Sequence, residues 1–257
     1  MSCVTKEIPR FPEVVYAELR RHDHVDAYVG LGAMMEEALT RDHTRQYSLS
    51  DSGDCARKVW AKTRSLMDLP ENPDALWSRL NLGTIVGVYL AHLFKRGAEQ
   101  LGHVVVLEQS VMLDGQSGHI DILMPELCHI KEIKSHYGIK VGKPKTRHYL
   151  QVGNYVRASM IDQLHASERR WSGSIVHAYP AIFEKEGHRI IEDWINEDQM
   201  ELYMQDAYRD QRRLQNAVAS ESMPDADISS EDAWMCKGGC RFSGCEKNRH
   251  PEKGGAA

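Results

Sequence analysis

The feature that most constrains the fold is a change of period in the middle of the chain. Upstream, apolar residues recur at helical spacing. From residue 103 they give way to short Val- and Leu-rich stretches parted by turn residues. Residues 103–113 read as a strand, Asp114-Gly115 as a turn, residues 119–124 as a second strand and residues 128–135 as a third. Three short strands so closely connected form a meander. One face of such a sheet needs a cover of helices.

The flanking segments supply that cover. Residues 11–44 carry apolar positions at helical spacing, with Met34, Met35, Ala38 and Leu39 late in the run. Ser50 and Asp51 are suitable N-caps for a helix through Cys55, Val59 and Trp60. The stretch LPENPD breaks the chain, and a helix over 75–101 follows, weakened by Gly83 and Gly87 inside it. After the meander come a helix over 149–165, strands at 174–179 and 189–194, and a long polar helix over 197–219. A polar Gly/Ala tail follows and is expected to be disordered. The sequence predicts an α/β fold, a mixed central sheet flanked by helices. It divides into an N-terminal helical region (1–102), a sheet core (103–196) and a C-terminal helix with a cysteine-rich segment (197–257), all in one integrated domain.

Composition excludes some functions. No apolar run is long enough to span a bilayer, and the first residues hold no apolar signal core. A cytoplasmic location without a membrane partner is the expectation. The net charge of −5 argues against a generic nucleic-acid coat, though not against one local basic channel. Six cysteines in a non-exported chain read first as a metal site rather than a disulfide framework.

The central chemistry lies in GHIDILMPELCHIKEIKS, residues 118–135. Glu132 and Lys134 share a face of their strand, and Ile133 points the other way. If the two strands pair, Asp121 comes beside Glu132. Neighbouring carboxylates repel unless a cation lies between them, and hard oxygen donors suit Mg2+ or Mn2+. Such an ion activates water and stabilises the charge of phosphodiester hydrolysis, and a lysine beside it offsets developing charge. The carbonyl of Ile133 is a further candidate ligand. A lone Glu-x-Lys is also what an ordinary edge-strand ion pair looks like.

With these residues in place, the sequence resembles the PD-(D/E)xK nuclease superfamily. Within it the likeness is to the RecB-like branch, which includes the AddB nuclease domain and the CRISPR-associated iron–sulfur exonucleases. The resemblance implies a restriction-endonuclease-like core and a metal-dependent DNA exonuclease of recombination, repair, replication or CRISPR adaptation, with protein partners in such machinery. It makes Asp121 and Glu132 metal ligands and Lys134 the catalytic lysine. It also assigns catalytic roles to Gln151 and Tyr155, four residues apart on the following helix, and gives Glu108 a supporting place at the metal. The family histidine of the preceding helix is absent, because its position is Gly87. His92 misses the helical phase.

Cys236, Cys240 and Cys245 fall within ten residues, interleaved with Gly238, Gly239 and Gly244. A closed site needs a fourth ligand. His250 would complete a zinc site locally. The resemblance instead implies Cys55, in CARK, as the fourth ligand of a [4Fe–4S] cluster. The tail spacings depart from the commoner family pattern. Cys3 reads as a free terminal thiol and Cys128 as a core residue.

Between Ile133 and Ile161 there is no acidic residue, while Lys134, Lys140, Lys143, Lys145, Arg147 and Arg157 all lie there, with His136, Tyr137, His148 and Tyr149 interleaved. Lys140, Lys143, Lys145 and Arg147 are the candidate DNA-binding residues, suited to single strands or DNA ends.

Overall fold

In the computed structural model the described residues are 7–20, 47–67, 73–136, 145–162, 170–179, 189–227, 236, 240 and 242–245, with side chains from 82 onward in the helix that begins at 73. The elements are α1 (Phe11–Leu19), a 3-10 turn (Leu49–Asp51), α2 (Ala56–Thr63), α3 (Pro73–Gln100), β1 (Val106–Leu113), β2 (Gln116–Met124), a second 3-10 turn (Pro125–Leu127), β3 (His129–Ser135), α4 (Thr146–Asp162), β4 (Ser172–Tyr179), β5 (Arg189–Ile195) and α5 (Glu197–Ala219).

The five strands lie in chain order. The pairs β1–β2, β2–β3 and β4–β5 are antiparallel, and β3–β4 is parallel with α4 in the crossover. Asp114 (φ 49°) and Gly115 (φ 78°) both sit in the left-handed region, as a two-residue hairpin of the primed type requires. Asn196 and Gln199 form a reciprocal capping box that starts α5.

Helices cover both faces. On one, Phe11 and Val15 of α1 and Leu90, Leu93 and Phe94 of α3 pack on Ile122, Met124, Ile133 and Val176. On the other, Val152, Tyr155 and Val156 of α4 and Met200 of α5 pack on Ile120, Leu123, Ile130 and Ile175. This is the expected mixed α/β sheet between helices, compatible with a restriction-endonuclease-like core. No helix among the described residues is long and apolar enough to cross a membrane.

One local expectation fails. Ser50 and Asp51 do not cap α2. The Asp51 carboxylate folds back to accept from the Ser48 backbone N–H at 2.9 Å and pairs with Lys62 at 2.8 Å. Helix α2 starts after Cys55, whose side chain makes no capping bond. A distant carboxylate takes the cap role: Asp227 Oδ1 accepts from the Ala56 N–H at 2.7 Å. Sequence proximity suggested the nearer acid; the tertiary fold used another. The later part of the predicted 11–44 helical region lies outside the described residues.

On the α1/α3 face a polar cluster is sealed into the sheet. Lys131 is fully buried, and its Nζ lies 2.6 Å from Glu192 Oε1. The same oxygen accepts from Ser174 Oγ at 2.7 Å, and Glu192 Oε2 accepts from the Phe11 N–H at 2.8 Å. Trp194 stacks on His129 and lies 5.2 Å from the Lys131 ammonium.

Candidate active site

The α4 face of the sheet departs from regular pleating at one row. Val111, Leu113 and Ile120 face α4, as do Val106 and Leu123, whereas Leu107 and Ile122 face α3. A strict two-residue alternation cannot satisfy both sets. The alternation therefore slips by one residue in β1 and β2 at the same place, between partners Leu107↔Ile122 and Gln109↔Ile120. The residues at the slip are Glu108 and Asp121, and Glu108 takes φ 51° there. A left-handed non-glycine residue costs about 1–2 kcal/mol, and such strain concentrates at functional sites.

On the other side of Asp121 the sheet opens. The β2–β3 ladder runs from Met124↔His129 to Ile122↔Lys131. One step further, the Asp121 carboxylate replaces a backbone acceptor: its Oδ2 accepts from the Ile133 N–H at 2.7 Å. Glu108, Asp121 and Glu132 thus occupy adjacent positions across three strands. Burial pushes the Asp121 carboxyl well above the usual carboxylate range, reinforced by the charges of Glu132 and Glu108. Burial also raises Glu132, although Lys134 pulls it down. Both shifts mark a place where negative charge is crowded and under-compensated.

Lys134 ties this row to α4. Its Nζ donates to Glu132 Oε1 at 2.6 Å and to Gln151 Oε1 at 2.7 Å, and Gln151 Nε2 donates to the Tyr155 hydroxyl at 2.8 Å. The structure therefore links Glu132, Lys134, Gln151 and Tyr155 in one hydrogen-bonded chain, with Asp121 and Glu108 beside it. Tyr155 fits because residue 118 has no side chain. A Cβ on Gly118 would meet the Tyr155 ring carbon Cε1 at 2.6 Å. Sequence reading passed over that requirement.

The residues present suit a hard divalent cation. Glu132 is 3 % exposed, and its Oε2 is buried with no hydrogen-bond partner of good geometry among the described residues, although Gln151 also acts on the carboxylate. A buried carboxylate oxygen without a partner costs of order kilocalories unless something binds it. Among the described residues, no three His, Cys, Asp or Glu side chains already converge to ion-holding distance. A Cβ at Gly87, where the resemblance led to the expectation of a histidine, would meet nothing within 4 Å.

A second group went unrecognised in the sequence except as parts of a basic stretch. On the same face, one strand repeat beyond Glu132, Lys134 pairs in register with His177. His136 Nε2 lies 2.6 Å from His177 Nδ1, and their rings stack on each other and on Tyr179. His148 of α4 stands over His177 at a ring separation of 6.0 Å. Burial lowers all three, His148 to about 2 and His177 to about 4, with Lys134 acting in the same direction. A histidine inside β4, whose every residue is buried, was the available signal.

Of the candidate DNA-binding residues, Lys140 and Lys143 lie outside the described residues. Lys145 and Arg147 stand at the start of α4, with Arg147 Nη1 at 3.9 Å from Asp54. Arg157 turns away: it donates to Asn154 and Gln211 and covers the Tyr208 ring at 4.8 Å, bridging α4 to α5.

The expected cysteine ligands are all described, but Cys55, Cys236, Cys240 and Cys245 do not form a group at ion-holding distance. Cys55, Cys236 and Cys245 are buried, Cys240 is half-buried, and none of them is in a disulfide. Cys245 packs with Trp60, Ala61 and Phe242, and Arg57 Nη1 donates to its Sγ at 3.5 Å. Burial raises the Cys240 thiol, and charge on Cys55 or Cys245 raises it further. That coupling links the start of α2 to the C-terminal segment. Cys128 is a core residue, as expected; Cys3 and His250 lie outside the described residues.

No protein-family model matches the chain, and no curated protein does. Among solved structures, the chain is similar to the crystal structure of SSO0001, at 19% identity over 88% of this chain and 98% of that one, with a TM-score of 0.47. It is also similar to the alkaline exonuclease LHK-Exo from Laribacter hongkongensis, at 14% identity over 71% of this chain and 94% of that one, with a TM-score of 0.37. Likeness at this level carries no function across, so function has to be argued from the side chains of the site.

Proposed function

We propose that this chain is a metal-dependent deoxyribonuclease, acting as an exonuclease on single strands or DNA ends. One observation carries the reading. A strained strand row gathers Glu108, Asp121 and Glu132 next to Lys134, and the buried Glu132 Oε2 has no partner among the described residues. An ordinary structural ion pair has no need of such crowded acids.

Asp121 and Glu132, with the Ile133 carbonyl and Glu108 in support, would hold Mg2+ or Mn2+. The ion, when bound, supplies Lewis acidity toward a phosphate oxygen and a more acidic water. The protein groups do the rest. Asp121 fixes β2 against β3 through the Ile133 amide. Gln151 and Glu132 hold the Lys134 ammonium from two sides, so its charge is preorganised for a phosphorane rather than free to wander. Tyr155 anchors Gln151 from beneath. Lys140, Lys143, Lys145 and Arg147 are the proposed contacts to the DNA backbone.

Cys55, Cys236, Cys240 and Cys245 would hold a [4Fe–4S] cluster that staples α2 to the C-terminal segment, with zinc as the alternative. A coloured protein after anaerobic purification is expected. A colourless one with stoichiometric zinc contradicts the cluster.

The test of the activity is degradation of DNA with Mg2+ or Mn2+ by the native protein, Glu132→Ala and Lys134→Ala. Activity in the native protein alone is the expected result, and equal activity in all three sinks the assignment. A second reading, a nucleic-acid-binding assembly protein that keeps the fold, draws on Gly87, which offers no donor where the family has histidine. It predicts DNA binding without cleavage in the same assay.

A further inference from the structure

We infer that His136, His148 and His177 form a phosphate-binding subsite beside Lys134, one strand repeat beyond Glu132, taking a phosphate group of the DNA next to the scissile one. This inference rests on the nuclease reading for the identity of the polymer. It does not rest on it for the site itself.

The position comes from register. Lys134 is the partner of His177, and Glu132 is the partner of Ile175, so the imidazoles continue the catalytic track along the same face. The step is about 6.7 Å. Helix α4 runs in parallel above it. His148, Gln151 and Tyr155 lie at successive turns, and they stand over His177, Lys134 and Gly118 respectively. A strand of nucleic acid with one phosphate at the cation that Asp121 and Glu132 would hold brings its neighbour to the imidazoles beside Lys134.

The chemistry selects an anion over a cation. Lys134 bears on all three rings, Lys145 on His136 and Arg147 on His148. Apart from the rings themselves, the charges of described residues that bear most on them are cations. His148 also sits in the first turn of the 17-residue α4, where the helix dipole is positive. A divalent metal would enter a repulsive field. The spacing disfavours it further. His136 Nε2 and His177 Nδ1 are 2.6 Å apart, a separation that fits one shared proton. Two nitrogens on a tetrahedral zinc would stand about 3.3 Å apart.

The rings have donors to give. His148 Nδ1 accepts from the Lys145 N–H at 3.3 Å, which leaves its proton on Nε2. In the tautomer in which His136 donates to His177 Nδ1, the neutral His177 also carries its proton on Nε2. That nitrogen is buried without a partner among the described residues, in a side chain only 2 % exposed. Such a buried N–H donor in a positive field is suited to an anionic oxygen.

The experiment uses the full chain labelled with 15N-histidine and kept free of divalent ions. Long-range imidazole spectra are followed as the thymidine dinucleotides TpT, pTpT or TpTp, or Zn2+, are added. Shifts of the His136, His148 and His177 nitrogens with TpT support an internal backbone phosphate. Shifts only with pTpT or TpTp support a terminal phosphate. Either supports the subsite. No shift with any dinucleotide overturns it, as does a response to Zn2+ alone. In cleavage assays His148→Gln is expected to raise KM roughly tenfold, the loss of one charged hydrogen bond, with kcat nearly unchanged. A fall in kcat at constant KM contradicts a binding role. If the imidazoles respond but DNA is not cleaved with metal, the nuclease reading fails and the phosphate site stands. If DNA is cleaved but the imidazoles stay silent, the reverse holds.

Discussion

Two Lys–Glu pairs sit on opposite faces of one sheet, each at 2.6 Å, and they are built for different ends. In the Lys131–Glu192 pair both side chains are shut away, at 0 % and 3 % exposure, and both oxygens of Glu192 have partners. In the Lys134–Glu132 pair the lysine is 23 % exposed, one oxygen of Glu132 has no partner among the described residues, and Asp121 and Glu108 crowd the carboxylate. Separation alone does not distinguish a structural pair from a functional one. Saturation does. A closed network has nothing left to bind with, whereas a vacant buried oxygen among acids holds a standing need for a cation.

The largest effect that could break this contrast falls on the closed pair. Glu192→Ala leaves Lys131 charged and buried, so a loss of about 3–5 kcal/mol of stability in denaturant unfolding is expected. A loss below 1 kcal/mol would show that the network is not structural. On the open pair, Lys134→Ala should leave the fold nearly as stable but reduce DNA cleavage at least roughly a hundredfold, the scale of one lost electrostatic stabiliser. A large stability loss without a rate effect would invert the comparison. Gly118→Ala presses on the Tyr155 ring and is expected to cost about 1–3 kcal/mol, with lower activity because Gln151 loses its anchor. Smallest is Gly87→Ala. It has open space on a long helix and should stabilise the protein by about 1 kcal/mol in thermal unfolding without loss of cleavage.

Local pattern carried much of the fold. Alternation and turn residues gave five strands within a few residues of their ends, and Asn196 and Glu197 opened α5 where the polar helix was expected. Asp121, Glu132 and Lys134 were legible from strand alternation within neighbouring elements, whereas Glu108 and the Gln151–Tyr155 pair came from the family resemblance. What escaped depends on contacts between distant segments. The Asp227 cap on α2, the Lys131–Glu192 pair and the His136–His177 contact each join residues that only the tertiary fold brings together. The slip at Glu108 and Asp121 escaped for another reason. It changes the facing of two strands at once, so the pairing count is unchanged and no insertion marks it.

The vacant oxygen can be tested by Mn2+ binding measured by calorimetry at two pH values. Asp121 and Glu132 hold their protons above the usual carboxylate range. Protonated, they stabilise the fold relative to the unfolded chain, and that contribution is lost as pH rises through their raised values. Protons and Mn2+ compete for the same oxygens, so affinity should strengthen from pH 6 to pH 8. The account predicts stoichiometric binding that Glu132→Gln abolishes. Binding unaffected by Glu132→Gln would contradict it.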